Sequence, residues 1–176
     1  MGIHLRRAVI LTVFFFLLCG LAYPLAETAL AQGIFAHQAN GSLGPDGSTL
    51  IGQTWAGPQW FHGRPDPNNP MATGGSNLGP RSKTLERHVA ARIKALRQLG
   101  VRPTSDLVTS SGSGVDPDIS PRSAYVQIPM VARATGISQQ RLRRLVASQV
   151  HPEQLGFLGA AYVNVLELNQ ALARLK

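Results

Sequence analysis

With 176 residues, the chain has room for one domain and an anchor, and its 18 Gly and 12 Pro imply abundant loops and few long regular elements. The formal charge is +8, of which +6 belongs to the sequence beyond Arg6 and Arg7 (15 basic against 9 acidic residues), yet neither an aromatic-interleaved basic patch nor a nucleic-acid fold signature accompanies it. Nucleic acid is therefore not an expected partner, and a single cysteine, Cys19, rules out an internal disulfide.

The first element is apolar. Ala8–Ala26 runs for 19 residues without a charge, which as a helix covers about 28 Å, close to the hydrocarbon thickness of a bilayer. Tyr23 and Pro24 fall where an interfacial aromatic and a helix end are expected. Arg6 and Arg7 precede the run and Glu27 is the first charge after it. The positive-inside rule then gives a cytoplasmic N-terminus over 1–7, a single-pass transmembrane helix over 8–26 and an extracytoplasmic domain over 27–176, held at the cell (inner) membrane. A cleaved signal peptide competes, because Ala29-Leu-Ala31 before Gln32 has the A-x-A form. The run exceeds a signal core and extends nearly to that site, which favours a retained anchor. Both readings export the domain. Cys19 follows Leu17-Leu18 without the small residues that precede a lipidated cysteine.

Beyond the anchor, residues 32–80 read as a short amphipathic start followed by turns and brief strands. Thr49–Thr54 and Gln59–His62 are the strand candidates, and Asp66-Pro-Asn-Asn-Pro70 and Thr73-Gly-Gly-Ser76 break regular structure. Trp55, Trp60 and Phe61 are expected as core anchors. Arg81–Leu99 is the clearest soluble helix: Leu85, Val89, Ile93, Leu96 and Leu99 form one stripe, Ser82 is its cap and Gly100 its stop. His88 sits on its rim and is expected in solvent.

A short apolar strand at Leu107-Val108 then leads into the Ser/Gly loop of Asp106–Pro121. Ser120 caps a helix with Pro121 at its first position, Pro129 must kink or restart it, and Ser138 caps Gln139–Gln149. In that last helix Leu142, Leu145 and Val146 face inward and Arg141, Arg143 and Arg144 outward. The final helix begins at Asn164 with Glu167 three residues on, a capping-box arrangement, and Val165, Leu168 and Leu172 supply its stripe. The expected fold class is α+β: a transmembrane helix, then one exported domain with a small sheet and three or four helices.

Catalytic machinery is scarce. The sequence holds no G-x-x-x-x-G-K-[ST] phosphate loop, and Ser111-Gly-Ser-Gly-Val115 lacks the G-x-S-x-G spacing of a nucleophile elbow. His4, His37, His62, His88 and His151 are scattered, without metal-ligand pairs at helical spacing. Asp116 and Asp118 could bind a cation through oxygen, or cap the next helix and shape turns. The Asp-Lys-Thr-Gly phosphorylation motif of P-type pumps is missing, so the chain is not expected to be an enzyme in its own right.

Ordered blocks along the whole chain carry a resemblance. They are Gly41-Ser-Leu43, Leu50-Ile-Gly-Gln53, Phe61-His-Gly-Arg-Pro65, Gly74-Gly-Ser-Asn-Leu-Gly-Pro80, Asp106–Pro121, Leu155-Gly-Phe-Leu-Gly159 and Val163-Asn-Val-Leu-Glu-Leu-Asn169. In this order they resemble the C subunit of the Kdp-type potassium-transporting P-type ATPase. The sequence departs from that pattern at Met130, usually basic, and at Asp118, often His.

The resemblance implies an accessory subunit of a high-affinity ATP-driven potassium uptake complex. Its implied partners are a channel-like potassium-binding subunit, a P-type ATPase subunit, a small single-helix subunit and membrane lipid. It also implies a catalytic chaperone that raises the nucleotide affinity of the pump, with no cofactor of its own and ATP reached through the complex. Topology points instead to a cap over the external K⁺ entrance, since only the first few residues face the cytoplasm. Arg64, Asp106, Asp116 and Asp118 are the candidate docking residues. Gly74, Gly75, Ser76 and Asn77 are candidates for an anion-binding nest that could take a nucleotide. A free-standing membrane-anchored binding module for a small ligand is the alternative of a different class.

Overall fold

The structure is a computed structural model and describes residues 2–175; Met1 and Lys176, the outer ends of the predicted topology ranges, lie outside them. The chain divides into two units, residues 1–48 and 49–176.

In the first unit, Gly2–Ile34 forms one 33-residue helical stretch, the one helix among the described residues long and apolar enough to cross a membrane. At 1.5 Å per residue it is about 50 Å long, more than a hydrocarbon core requires. The expected end at Pro24 is corrected: helix α1 (Gly2–Leu17) passes through a π-helical turn (Leu18–Ala22) into α2 (Tyr23–Ile34). The Tyr23 N–H reaches back five residues to the Leu18 carbonyl. That widened turn makes room for the proline ring, and Pro24 sits in the first turn of α2, where a missing N–H is tolerated. A short α3 (Ala36–Ala39) and a two-residue antiparallel ribbon, β1 (Leu43–Gly44) with β2 (Gly47–Ser48), complete this unit.

The second unit is α+β, as expected. Its helices of eight or more residues are α4 (Lys83–Gln98), α7 (Ile128–Thr135), α8 (Gln139–Ser148) and α9 (Val165–Ala173), with single turns at α5 (Ser105–Val108) and α6 (Pro121–Tyr125). The sheet is antiparallel, with β5 (Tyr162–Asn164) central between β3 (Asp118–Ile119) and β4 (Val150–His151). Local signals set most helix ends. Ser82, Ser120 and Ser138 each accept an N–H from the first helical turn, Pro129 opens α7, and Gly136 closes it in the left-handed region.

The core gathers Phe61, Ile128, Leu142, Val146, Val163, Leu168 and Leu172, all fully buried, with Trp55 and Trp60 packed against it at 5.1 Å between ring centroids.

Several expectations are corrected. Neither Thr49–Thr54 nor Gln59–His62 is a strand. In the latter, the ladder is replaced by side-chain amides: the Phe61 N–H donates to Asn169 Oδ1 (2.9 Å), and Asn169 Nδ2 donates to the Phe61 carbonyl (2.9 Å). Gln127 grips His62 in the same two-ended way, at 2.8 and 2.9 Å. Leu107 and Val108 are buried on the single turn α5, not on a strand. Half of the capping box forms: Asn164 Oδ1 accepts the Glu167 N–H, but the Asn164 backbone belongs to β5 and the Glu167 carboxylate turns to His151 Nε2 at 2.9 Å. The α4 stripe faces the core without entering it, since no residue of α4 is buried and Leu99 is 38% exposed.

Candidate functional site

The site is built on one loop and one arginine. Asp66, read from sequence only as part of a turn, organises the loop. Its carboxylate accepts the Ser111 N–H (2.7 Å), the Ser111 hydroxyl (2.6 Å) and the Asp116 N–H (3.2 Å). Ser111 Oγ accepts the Gly114 N–H in turn, and Asp116 Oδ1 accepts the Asp118 N–H at 3.0 Å, a local Asx turn.

Neighbouring segments hold the loop from outside. Val115 accepts from the Gly52 N–H at 2.7 Å, Gly114 from the Asn68 N–H at 3.1 Å and Ser113 from the Gly74 N–H at 2.6 Å. A side chain at Gly114, which has φ +71°, would place its Cβ 2.5 Å from the Gly74 carbonyl oxygen, so this approach requires glycine.

Asp106 ties the end of the loop to the next helix. Its Oδ2 accepts from the Ser120 N–H (3.0 Å), the Ser120 hydroxyl and the Ser123 hydroxyl (2.7 Å). Burial pushes the Asp106 carboxyl upward, but these donors and the Arg64 charge outweigh it and hold the group below the usual aspartate range. Arg64 lies between two carboxylates, 3.8 Å from Asp106 Oδ1 and 3.7 Å from Asp116 Oδ2, with the three side chains 21%, 17% and 34% exposed. Arg92, also unremarked in the sequence reading, fixes this corner to α4 by donating to the Val108 carbonyl (3.1 Å) and the Pro65 carbonyl (3.2 Å). A signal existed: Arg92 interrupts the stripe of Leu85, Val89 and Leu96 at helical spacing.

Of the four predicted docking residues, Arg64, Asp106 and Asp116 therefore form one cluster. Asp118 stands apart on β3, where its Oδ1 accepts from Asn164 Nδ2 at 3.0 Å. Burial is the main cause of its raised pKa, with the charges of Asp116 and Glu167 adding to the rise and the Asn164 bond opposing it.

The four anion-nest candidates lie beside the loop. The Gly74 N–H is taken by Ser113, a Cβ on Gly75 would stand 3.0 Å from the Gly112 carbonyl oxygen, Ser76 Oγ receives the Leu78 N–H at 3.5 Å, and Asn77 is left-handed at φ +52°. Among the described residues no group of three or more His, Cys, Asp or Glu is placed to hold a metal ion. The cluster is a positioned cation flanked by two carboxylates on a loop held by many hydrogen bonds, and it can offer charge and hydrogen bonds.

A single helix long and apolar enough to cross a membrane, followed by a small α+β domain with a salt-bridged corner, is the architecture of a single-pass type of chain. Comparison with known proteins makes this particular. The KdpC pattern, described as the c chain of the K⁺-transporting ATPase, matches residues 5–174. The chain is 47% identical to the potassium-transporting ATPase KdpC subunit of Geobacter sulfurreducens, covering 96% of each protein. It is 48% identical to the namesake of Sorangium cellulosum, again over 96% of each, and 46% identical to that of Allorhizobium ampelinum over 96% of this chain and 95% of the relative. The chain belongs to the KdpC family of potassium-transporting ATPase subunits.

Proposed function

We propose that the chain is a non-catalytic accessory subunit that docks outside the membrane on a channel-like potassium-binding subunit, in a complex that also contains a P-type ATPase subunit and a small single-helix subunit. Arg6 and Arg7 before the apolar helix, against Glu27 after it, support a cytoplasmic N-terminus and an extracytoplasmic domain. Arg64 and its two partly exposed carboxylates carry the docking reading, because a desolvated charge pair at an interface gives orientation and discrimination between partners. A domain that binds one pump conformation better than another shifts the cycle by that difference in affinity. Capping the external K⁺ entrance and raising the pump's affinity for ATP are two outputs of the same bias, and neither needs this chain to touch nucleotide.

Two measurements test this reading. Asp116→Ala should lower co-purification with the other subunits or K⁺ uptake while the domain stays folded; undiminished assembly and transport would remove the cluster from the docking surface. A tag at Lys176 should be cut by external protease in intact spheroplasts, and protection there would reverse the topology.

A further inference from the structure

The charge of the chain is unevenly spread. Between Arg81 and Arg102 there are seven basic residues and one acid, Glu86, a net +6. The rest of the sequence beyond Arg7 holds eight residues of each sign and is neutral. The whole excess therefore sits on α4 and its two ends.

The helix sorts these charges by face. Lys83, Arg87, Lys94 and Arg97 fall within about 80° of one another at about 100° per residue, and they run about 21 Å along the axis. All four are exposed. Arg92, half a turn round, faces the domain and donates to the Val108 and Pro65 carbonyls. Glu86 meets Lys83 at 3.2 Å, in an exposed pair that offsets little of the charge. Among the described residues Arg87, Lys94 and Arg97 have no acidic partner.

Such a stripe calls for an acidic partner, and its make-up separates two kinds. A protein interface centres on apolar or aromatic anchors and is depleted in lysine. Here the centre is Ala90, exposed and small, between two lysines and two arginines. A plane of phosphates asks only for a row of cations on flexible stems, each worth about fivefold in binding. On the membrane-anchored reading proposed above, on which this inference rests, the apolar helix keeps such a plane within reach. We propose that the outward face of α4 docks on the acidic phospholipid headgroups of the membrane that anchors the chain.

The full chain in lipid nanodiscs tests this, with Cys19→Ser removing the native thiol and a fluorophore carried on Ala90→Cys. A nitroxide-headgroup lipid should quench the fluorophore in discs of mixed phosphatidylglycerol and phosphatidylcholine. Quenching should be lost in discs of phosphatidylcholine alone, and in about 1 M salt, where charges are screened beyond about 3 Å. Lys94→Gln combined with Arg97→Gln should lower the docked-to-free ratio about 25-fold. Equal quenching in both lipids, quenching that survives the salt, or quenching unchanged in the double variant overturns the proposal. If that variant instead loses co-purification with the other subunits while its quenching is unchanged, the stripe belongs to an acidic protein surface and the proposal fails. A chain that never enters discs overturns the anchor reading and this one together; a chain that enters them unquenched overturns this one alone.

Discussion

Two irregular stretches of the domain solve the same problem with different chemistry. In Gln59–His62 the backbone is buried and clamped by neutral amides, Asn169 on Phe61 and Gln127 on His62. In Asp106–Pro121 it lies nearer the surface and is clamped by carboxylates and hydroxyls, with Asp66 and Asp106 as the hubs. An amide satisfies a donor and an acceptor together without a charge to desolvate, so it suits the core. A carboxylate gathers several donors at once and tolerates partial exposure, so it suits a recognition loop. The first clamp is indifferent to pH, whereas the second is not.

The contrast can be broken, starting with its strongest member. Asn169→Ala leaves the Phe61 N–H and carbonyl buried without partners and should destabilise the domain by about 3 kcal/mol, by the same amount at acid and neutral pH in urea unfolding followed by tryptophan fluorescence. Asp106→Asn should cost about 2 kcal/mol at neutral pH through weakened charge-assisted bonds. That loss must shrink on acidification. The folded pKa of Asp106 lies below the unfolded value, so its stabilisation is complete above the unfolded value near 4 and disappears as pH falls through the folded one. A pH-independent Asp106→Asn penalty would erase the distinction between the clamps.

Ile93→Ala, on the half-buried face of α4, should cost no more than about 1 kcal/mol, well below a core truncation such as Leu168→Ala at about 3 kcal/mol. The smallest effect belongs to Asp118, where the sign reverses. Its folded pKa is raised, so its ionisation opposes folding above that pKa, and the cost vanishes once pH drops below the unfolded value. Asp118→Asn should therefore raise the urea midpoint slightly at neutral pH and leave it unchanged in acid.

What the sequence made legible was local. The caps at Ser82, Ser120, Ser138 and Asn164, the restart at Pro129 and the Gly100 stop depend on residues within one turn of each other. The inward faces of α8 and α9 follow from a period of 3.6 residues. Period gives direction but not depth, so the α4 stripe looked like core and is only half-covered. Asp106 and Asp116 stood out as candidates because they share one short loop in sequence, and the structure brings both beside Arg64. The organiser of that loop, Asp66, acts across 45 residues, and nothing within its own turn announces that reach. The same distance problem hid the amide clamps, which made Gln59–His62 read as a strand. Asp118 was grouped with its neighbours by sequence, but strand pairing with Asn164 carried it elsewhere.

The Asn169–Phe61 clamp spans 108 residues. Its amide comes from α9, and the aromatic it secures precedes the whole of α4 in the sequence. Until the ribosome has made α9, Phe61 has nothing to close its backbone, and the hydrophobic nucleus must wait. A chain that stops before Asn169 would lack the clamp and keep its interior open to proteases and chaperones.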